Sequence, residues 1–134
     1  MSVLLLLVCA AFPAVAAEPP QASADGAAWE SNSGIFRVSY VSRLDPIAIN
    51  RIHTWVLHVE SRAGEPVTGA RLEVSGTMPA HDHGLPTQPR VTRELGNGDY
   101  LLEGVRFHMH GAWEMSIIIE ASGKRDVVLV PLQL

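Results

Sequence analysis

The chain has a single cysteine, Cys9, and it lies inside an N-terminal apolar run. With that run removed, no thiol remains. This excludes an intramolecular disulfide, a cysteine nucleophile and a thiolate metal site. It also excludes a type-1 copper centre, which needs a cysteine ligand. Several enzyme signatures are missing too: there is no G-x-S-x-G elbow, no H-E-x-x-H pair and no phosphate-binding loop. The expectation is a protein that is not an enzyme. The net charge of −4 is small and spread along the chain. No basic patch exists for nucleic acid, and no amphipathic or polybasic segment for a membrane surface. No lysine or arginine precedes the apolar run, so a positive n-region is lacking or lies upstream of Met1.

What is present at that end has a clear pattern. Leu4 to Val8 is an unbroken aliphatic run, continued by Cys9, Ala10, Ala11 and Phe12 and broken by Pro13. Ala14-Val15-Ala16-Ala17 then supplies the small residues that signal peptidase accepts. The run is too short to cross a bilayer, which takes about 20 apolar residues. Residues 1–17 are read as a signal peptide, cleaved after Ala16 or Ala17, with retention as an anchor the alternative. The mature protein would then be periplasmic or secreted, with no stable membrane span. Residues 18–28, rich in alanine, proline and serine, read as a disordered linker. Residues 29–134 remain as one domain, long enough to bury around two-thirds of its unfolded surface.

Within that domain no window has a helical period. Short apolar stretches alternate with Gly, Pro and Asn, and seven strands are predicted: 34–42, 52–61, 69–77, 89–95, 99–108, 112–121 and 126–133. Trp55, Leu57 and Val59 alternate with Thr54, His58 and Glu60. Trp113, Met115, Ile117 and Ile119 share a face against Glu114, Ser116 and Glu120. Turns are expected at Gly64-Glu65-Pro66, Asn97-Gly98 and Ser122-Gly123-Lys124. Seven short strands without long crossovers favour an antiparallel immunoglobulin-like β-sandwich, with Trp55 and Trp113 as core anchors.

The six histidines and the three methionines that follow the leader are not scattered. Most fall in Met78-Pro79-Ala80-His81-Asp82-His83-Gly84 and in His108-Met109-His110-Gly111. His53 opens the second strand, and His58 lies within it facing solvent. If each strand reverses the chain, His53, Met78–His83 and His108–His110 all emerge at one pole. Strand parity aims His53, Met78 and Met109 toward the core and turns His108 and His110 outward. Imidazole with thioether, lacking thiolate or a carboxylate cluster, is a ligand set for copper: thioether favours Cu(I), and imidazole serves both oxidation states. Asp82 is then a partner of the ligands or a solvated residue. The candidate metal ligands are His81, His83, Met78 and Met109, with His53 as a fifth. A plain reading stands beside this one. The methionines can be hydrophobic plugs, His81-Asp82-His83 an ordinary polar loop, and His53 a core-edge histidine bonded to a carbonyl.

These segments also carry a resemblance. Ile52-His53-Thr54-Trp55, Gly64-Glu65-Pro66-Val67, Gly76 to Gly84 with Pro86-Thr87 and Pro89, then Gly98-Asp99-Tyr100, Gly104 to Phe107 and Met109, Gly111 and Trp113 resemble the YtkA-like and FixH-like domains. The likeness spans roughly residues 45–134. It implies an exported or membrane-anchored immunoglobulin-like sandwich connected with copper handling and cytochrome oxidase assembly. The family's motif positions fall on Met78, His81 and His83, with Met109 and His53 matching its flanking segments. FixH-type proteins carry a membrane helix, whereas here the apolar run looks cleavable. The expectation is an extracytoplasmic copper-binding protein that holds or delivers the ion, with a protein partner in copper handling or oxidase assembly. The alternative is a metal-free interaction module.

Overall fold

The computed structural model describes residues 27–134. The expected signal peptide, and all but the end of the expected linker, lie outside the described residues. Every regular element that follows is a strand: β1 (Trp29–Glu30), β2 (Phe36–Ser42), β3 (His53–Ser61), β4 (Arg71–Met78), β5 (His83–Gly84), β6 (Arg90–Gly96), β7 (Asp99–Val105), β8 (Ala112–Ala121) and β9 (Lys124–Gln133). Nine strands replace the seven expected. The seven predicted segments each hold one, and the additions, β1 and β5, are two residues long. Sequence patterning misses them because two residues cannot display a period of two.

The strands form two antiparallel sheets, ordered β1-β2-β3-β7-β6 and β5-β4-β8-β9. Alternation decides which side chains enter the space between them. On β3, His53, Trp55, Leu57 and Val59 are buried and their neighbours are half-exposed; on β8, Trp113, Met115, Ile117 and Ile119 are buried. Each apolar side chain among them contributes about 1.5–3 kcal/mol by leaving water. Both tryptophans are core anchors, as the alternation requires.

Two hairpins are set by local backbone chemistry. Asn97-Gly98 joins β6 to β7 with φ of 54° and 82°, and Ser122-Gly123 joins β8 to β9 with φ of 50° and 72°. Both central residues have positive φ, the turn that matches strand twist. At Gly98 a side chain is also sterically barred, because a Cβ would stand 2.6 Å from the Val59 carbonyl oxygen. The Gly64-Glu65-Pro66 turn works differently: β3 and β4 lie in separate sheets, so this connection crosses the sandwich. Tyr100 on β7 holds it, its hydroxyl donating to the Val67 carbonyl (2.7 Å) and accepting from the Ala70 N–H (3.0 Å).

At the opposite edge Ser31 bridges to Val128, and Asn32 N–H donates to the Val127 carbonyl (2.8 Å), tying the two sheets together. Asp126 is buried there and accepts from Ser33 N–H and Val127 N–H, both at 2.9 Å. Burial pushes its carboxyl upward, but donation from the Ser31 hydroxyl and neighbouring N–H groups outweighs it and holds the group below the usual carboxylate range.

Candidate functional site

The start of β3, the end of β4 and the end of β7 meet at one pole, where the β4–β5 hairpin and the 106–111 loop face each other. β4 ends on Met78, which is 1% exposed and continues the inward row of Leu72 and Gly76. The chain turns through Pro79–Asp82, with His81 N–H donating to the Met78 carbonyl (3.0 Å) and Asp82 at φ 52°. It returns as β5, pairing His83 with Met78 and Gly84 with Thr77. Gly76 makes room for the return strand: a Cβ there would stand 2.5 Å from the Met115 sulfur and 3.0 Å from Leu85 Cγ. His81 and His83 are exposed on this hairpin.

The second segment departs from strand geometry. β7 stops at Val105, after Gly104 at φ 83°, rather than running to His108. Residues 106–111 are therefore a loop, and parity no longer orients their side chains. Phe107 is buried, while Met109 is half-buried against the core and His108 is half-buried rather than outward. Only His110 is exposed. Backbone bonds clamp the loop on both sides: Asn50 N–H donates to the Phe107 carbonyl (2.7 Å), and Gly111 and Leu134 exchange bonds at 2.8 and 3.0 Å. From below, Trp113 Nε1–H donates to the Met109 carbonyl (3.0 Å).

Ring contacts join the two segments. His81 and His83 lie 6.3 Å apart between centroids, His83 and His108 6.1 Å, and His108 stands edge-on to Trp113 at 5.5 Å. His108 Nδ1 is buried and has no hydrogen-bond partner. Met78 reaches the same loop, since a Cβ on Gly111 would stand 3.0 Å from its methyl. The structure therefore brings Met78, His81 and His83 together with His108, a residue that parity had turned outward.

His53 sits apart from this group. It is 7% exposed, with its ring against Trp55 (6.3 Å) and Phe107 (5.9 Å). Its Nδ1–H donates to the Arg51 carbonyl (3.1 Å), leaving Nε2 buried without a partner. Burial pushes this imidazole below the usual histidine range against the smaller opposing effect of the Arg51 carbonyl. Its ring path to His108 passes through Phe107 and Trp113, which pack edge-on at 5.2 Å.

His58, expected to be a free surface residue, is half-buried and paired. Its Nδ1 lies 2.6 Å from an Asp99 oxygen and its Nε2 3.3 Å from Glu60. Cross-strand register explains the first contact, because His58 on β3 faces Asp99 on β7. That partner was invisible without the sheet order.

Among the described residues, no three His, Cys, Asp or Glu side chains are gathered so as to hold a metal ion. A metal at this pole would need thioether ligands beside imidazole. The methionines of the two segments are Met78, which is buried, and Met109, half-buried against the core, and the nearby His108 Nδ1 is an unpartnered donor nitrogen. Among the described residues, no helix is long and apolar enough to cross a membrane.

No curated protein matches the chain. Among solved structures, one described as the ZirS C-terminal domain is similar at 13% identity and a TM-score of 0.42, covering 97% of this chain and 88% of its own. A family model described as YtkA-like matches residues 37–118, and the chain belongs to the YtkA-like family.

Proposed function

We propose that the protein is an extracytoplasmic copper-binding protein that holds or delivers one ion at the histidine pole. His81 and His83 would supply imidazole, Met78 and Met109 thioether, with His53 a more distant candidate. The observation that carries the reading is the meeting of two sequence-distant His/Met segments over Met78. Soft sulfur beside imidazole is the donor chemistry of copper rather than of zinc or a hard cation. Copper bound there would be held without turnover, and this chain's own part is to orient the ligands: the β4–β5 hairpin bonds set the histidines, and the clamped 106–111 loop sets Met109. The apolar leader supports export. The strand orders β2-β3-β7-β6 and β4-β8-β9 support an immunoglobulin-like sandwich, since constant-type domains order their strands this way.

Titration of the protein with Cu(I) against a competing chelator tests the reading. Tight one-to-one binding is expected, and unchanged affinity in a Met78→Ala, His81→Ala double variant would remove this site. A metal-free interaction module, accessory to oxidase or metal-transport assembly, is the second reading. What favours it is that no three-residue His/Cys/Asp/Glu group is gathered among the described residues. Metal analysis of protein taken from its own compartment separates the two.

A further inference from the structure

We infer that His108 shares the metal with His83, an imidazole absent from the expected ligand set of His81 and His83 with His53 as a fifth candidate. This rests on the copper reading above. Three observations support it. First, the two rings come from different segments yet lie 6.1 Å apart between centroids. Two imidazoles sharing one ion stand up to roughly 6 Å apart between centroids, because each metal–nitrogen bond is about 2 Å long. Second, His108 Nδ1 is buried and unpartnered, a state that is unfavourable for a polar group. A ring nitrogen left in that state in a well-clamped loop is consistent with a ring placed for binding. Third, the loop is held before any ligand arrives. Asn50, Leu134 and the Trp113 indole bond its backbone, and the imidazole packs T-shaped against Trp113. Ligands held by their surroundings lose little freedom on binding.

His53 also keeps a buried, unpartnered ring nitrogen, Nε2, but among the described residues no second imidazole stands beside it as His83 stands beside His108. Its Nδ1–H is committed to the Arg51 carbonyl, and Trp55 and Phe107 cover its ring. Phe107 and Trp113 stand in the ring path between it and His108. The division is then between a half-buried ligand on the clamped loop, His108, and an exposed ligand on the β4–β5 hairpin, His83. Delivery of copper to an acceptor would begin by releasing His83, which a partner can reach, while His108 holds the ion against the core.

The test uses the full chain and copper itself. In the wild-type protein, the His108 ring resonances are followed by NMR during Cu(I) titration, alongside chelator competition on His108→Ala and, as a control toward the other end of β3, His58→Gln. The expected result is a His108 ring shift saturating at one equivalent. Affinity should fall on the order of tenfold or more in His108→Ala, since even outer-shell partners of a metal ligand are worth that much. His58→Gln, away from this pole, should leave it within about twofold of wild type, on the same scale. Tight wild-type binding with an unmoved His108 ring, or with undiminished affinity in His108→Ala, overturns the inference and leaves the copper reading standing. Absence of wild-type binding overturns both. The ring shift needs no substitution, so a His108→Ala protein that fails to fold does not remove the test.

Discussion

Met78 can be a core plug, a metal ligand or both, and one pair of substitutions separates these roles. The side chain is 1% exposed, and its methyl lies against Gly111. Truncation to alanine removes buried atoms from a site that backbone bonds at Gly111 and Leu134 prevent from collapsing. Such methionine truncations cost about 2–5 kcal/mol, and the clamped loop places this one in the upper half. Leucine keeps most of the volume and loses only the far methyl contact, so Met78→Leu should cost less than about 1.5 kcal/mol. Urea unfolding followed by tryptophan fluorescence reads both values. Copper affinity gives the second axis. Leucine has no sulfur lone pair, so Met78→Leu should weaken Cu(I) binding on the order of tenfold or more while the fold is retained. A Met78→Ala protein losing less than about 1 kcal/mol would refute the packing argument. A Met78→Leu protein with undiminished Cu(I) affinity would leave Met78 a plug alone.

Further outcomes follow from the fold. Tyr100→Phe deletes the hydroxyl that joins β7 to the sheet-crossing connection at Val67 and Ala70. A loss of about 1–3 kcal/mol is expected in urea unfolding, from two hydrogen bonds at about 0.5–1.5 kcal/mol each. His53 sits below its ordinary value of 6.5, so its contribution to stability is complete above that pH and is lost as pH falls toward the lower folded value. His53→Phe should flatten the stability profile between about pH 8 and about pH 5, and an unchanged slope would show the imidazole is not responsible. Asp126, also lowered, contributes above its ordinary value of 3.8 and loses that contribution below it. In Asp126→Ala, acid unfolding should begin from a less stable protein and show a shallower dependence below about pH 4, measured by circular dichroism.

Much of this architecture was legible in the residues. The alternation on β3 and β8 named Trp55 and Trp113 as anchors because a strand side chain has only two directions to point. Asn97-Gly98 marked a hairpin because both residues tolerate positive φ, and Ser122-Gly123-Lys124 marked another by separating two apolar runs. Even the gathering of histidines at one pole was available, since strands that reverse direction return their ends to the same side.

What the residues alone could not decide lay where periodicity stops. His108 was turned outward by extending β7 through it, but Gly104 and the bonds to Asn50 end the strand at Val105, and a loop residue points where its contacts send it. The pairing of His58 with Asp99, the separation of His53 behind Phe107 and the crossing of β3 to β4 between sheets are facts of sheet order. Local pattern determined which residues are buried and which donors share a pole. Only tertiary structure decided which of those donors touch, because contact depends on strands and loops far apart in the chain.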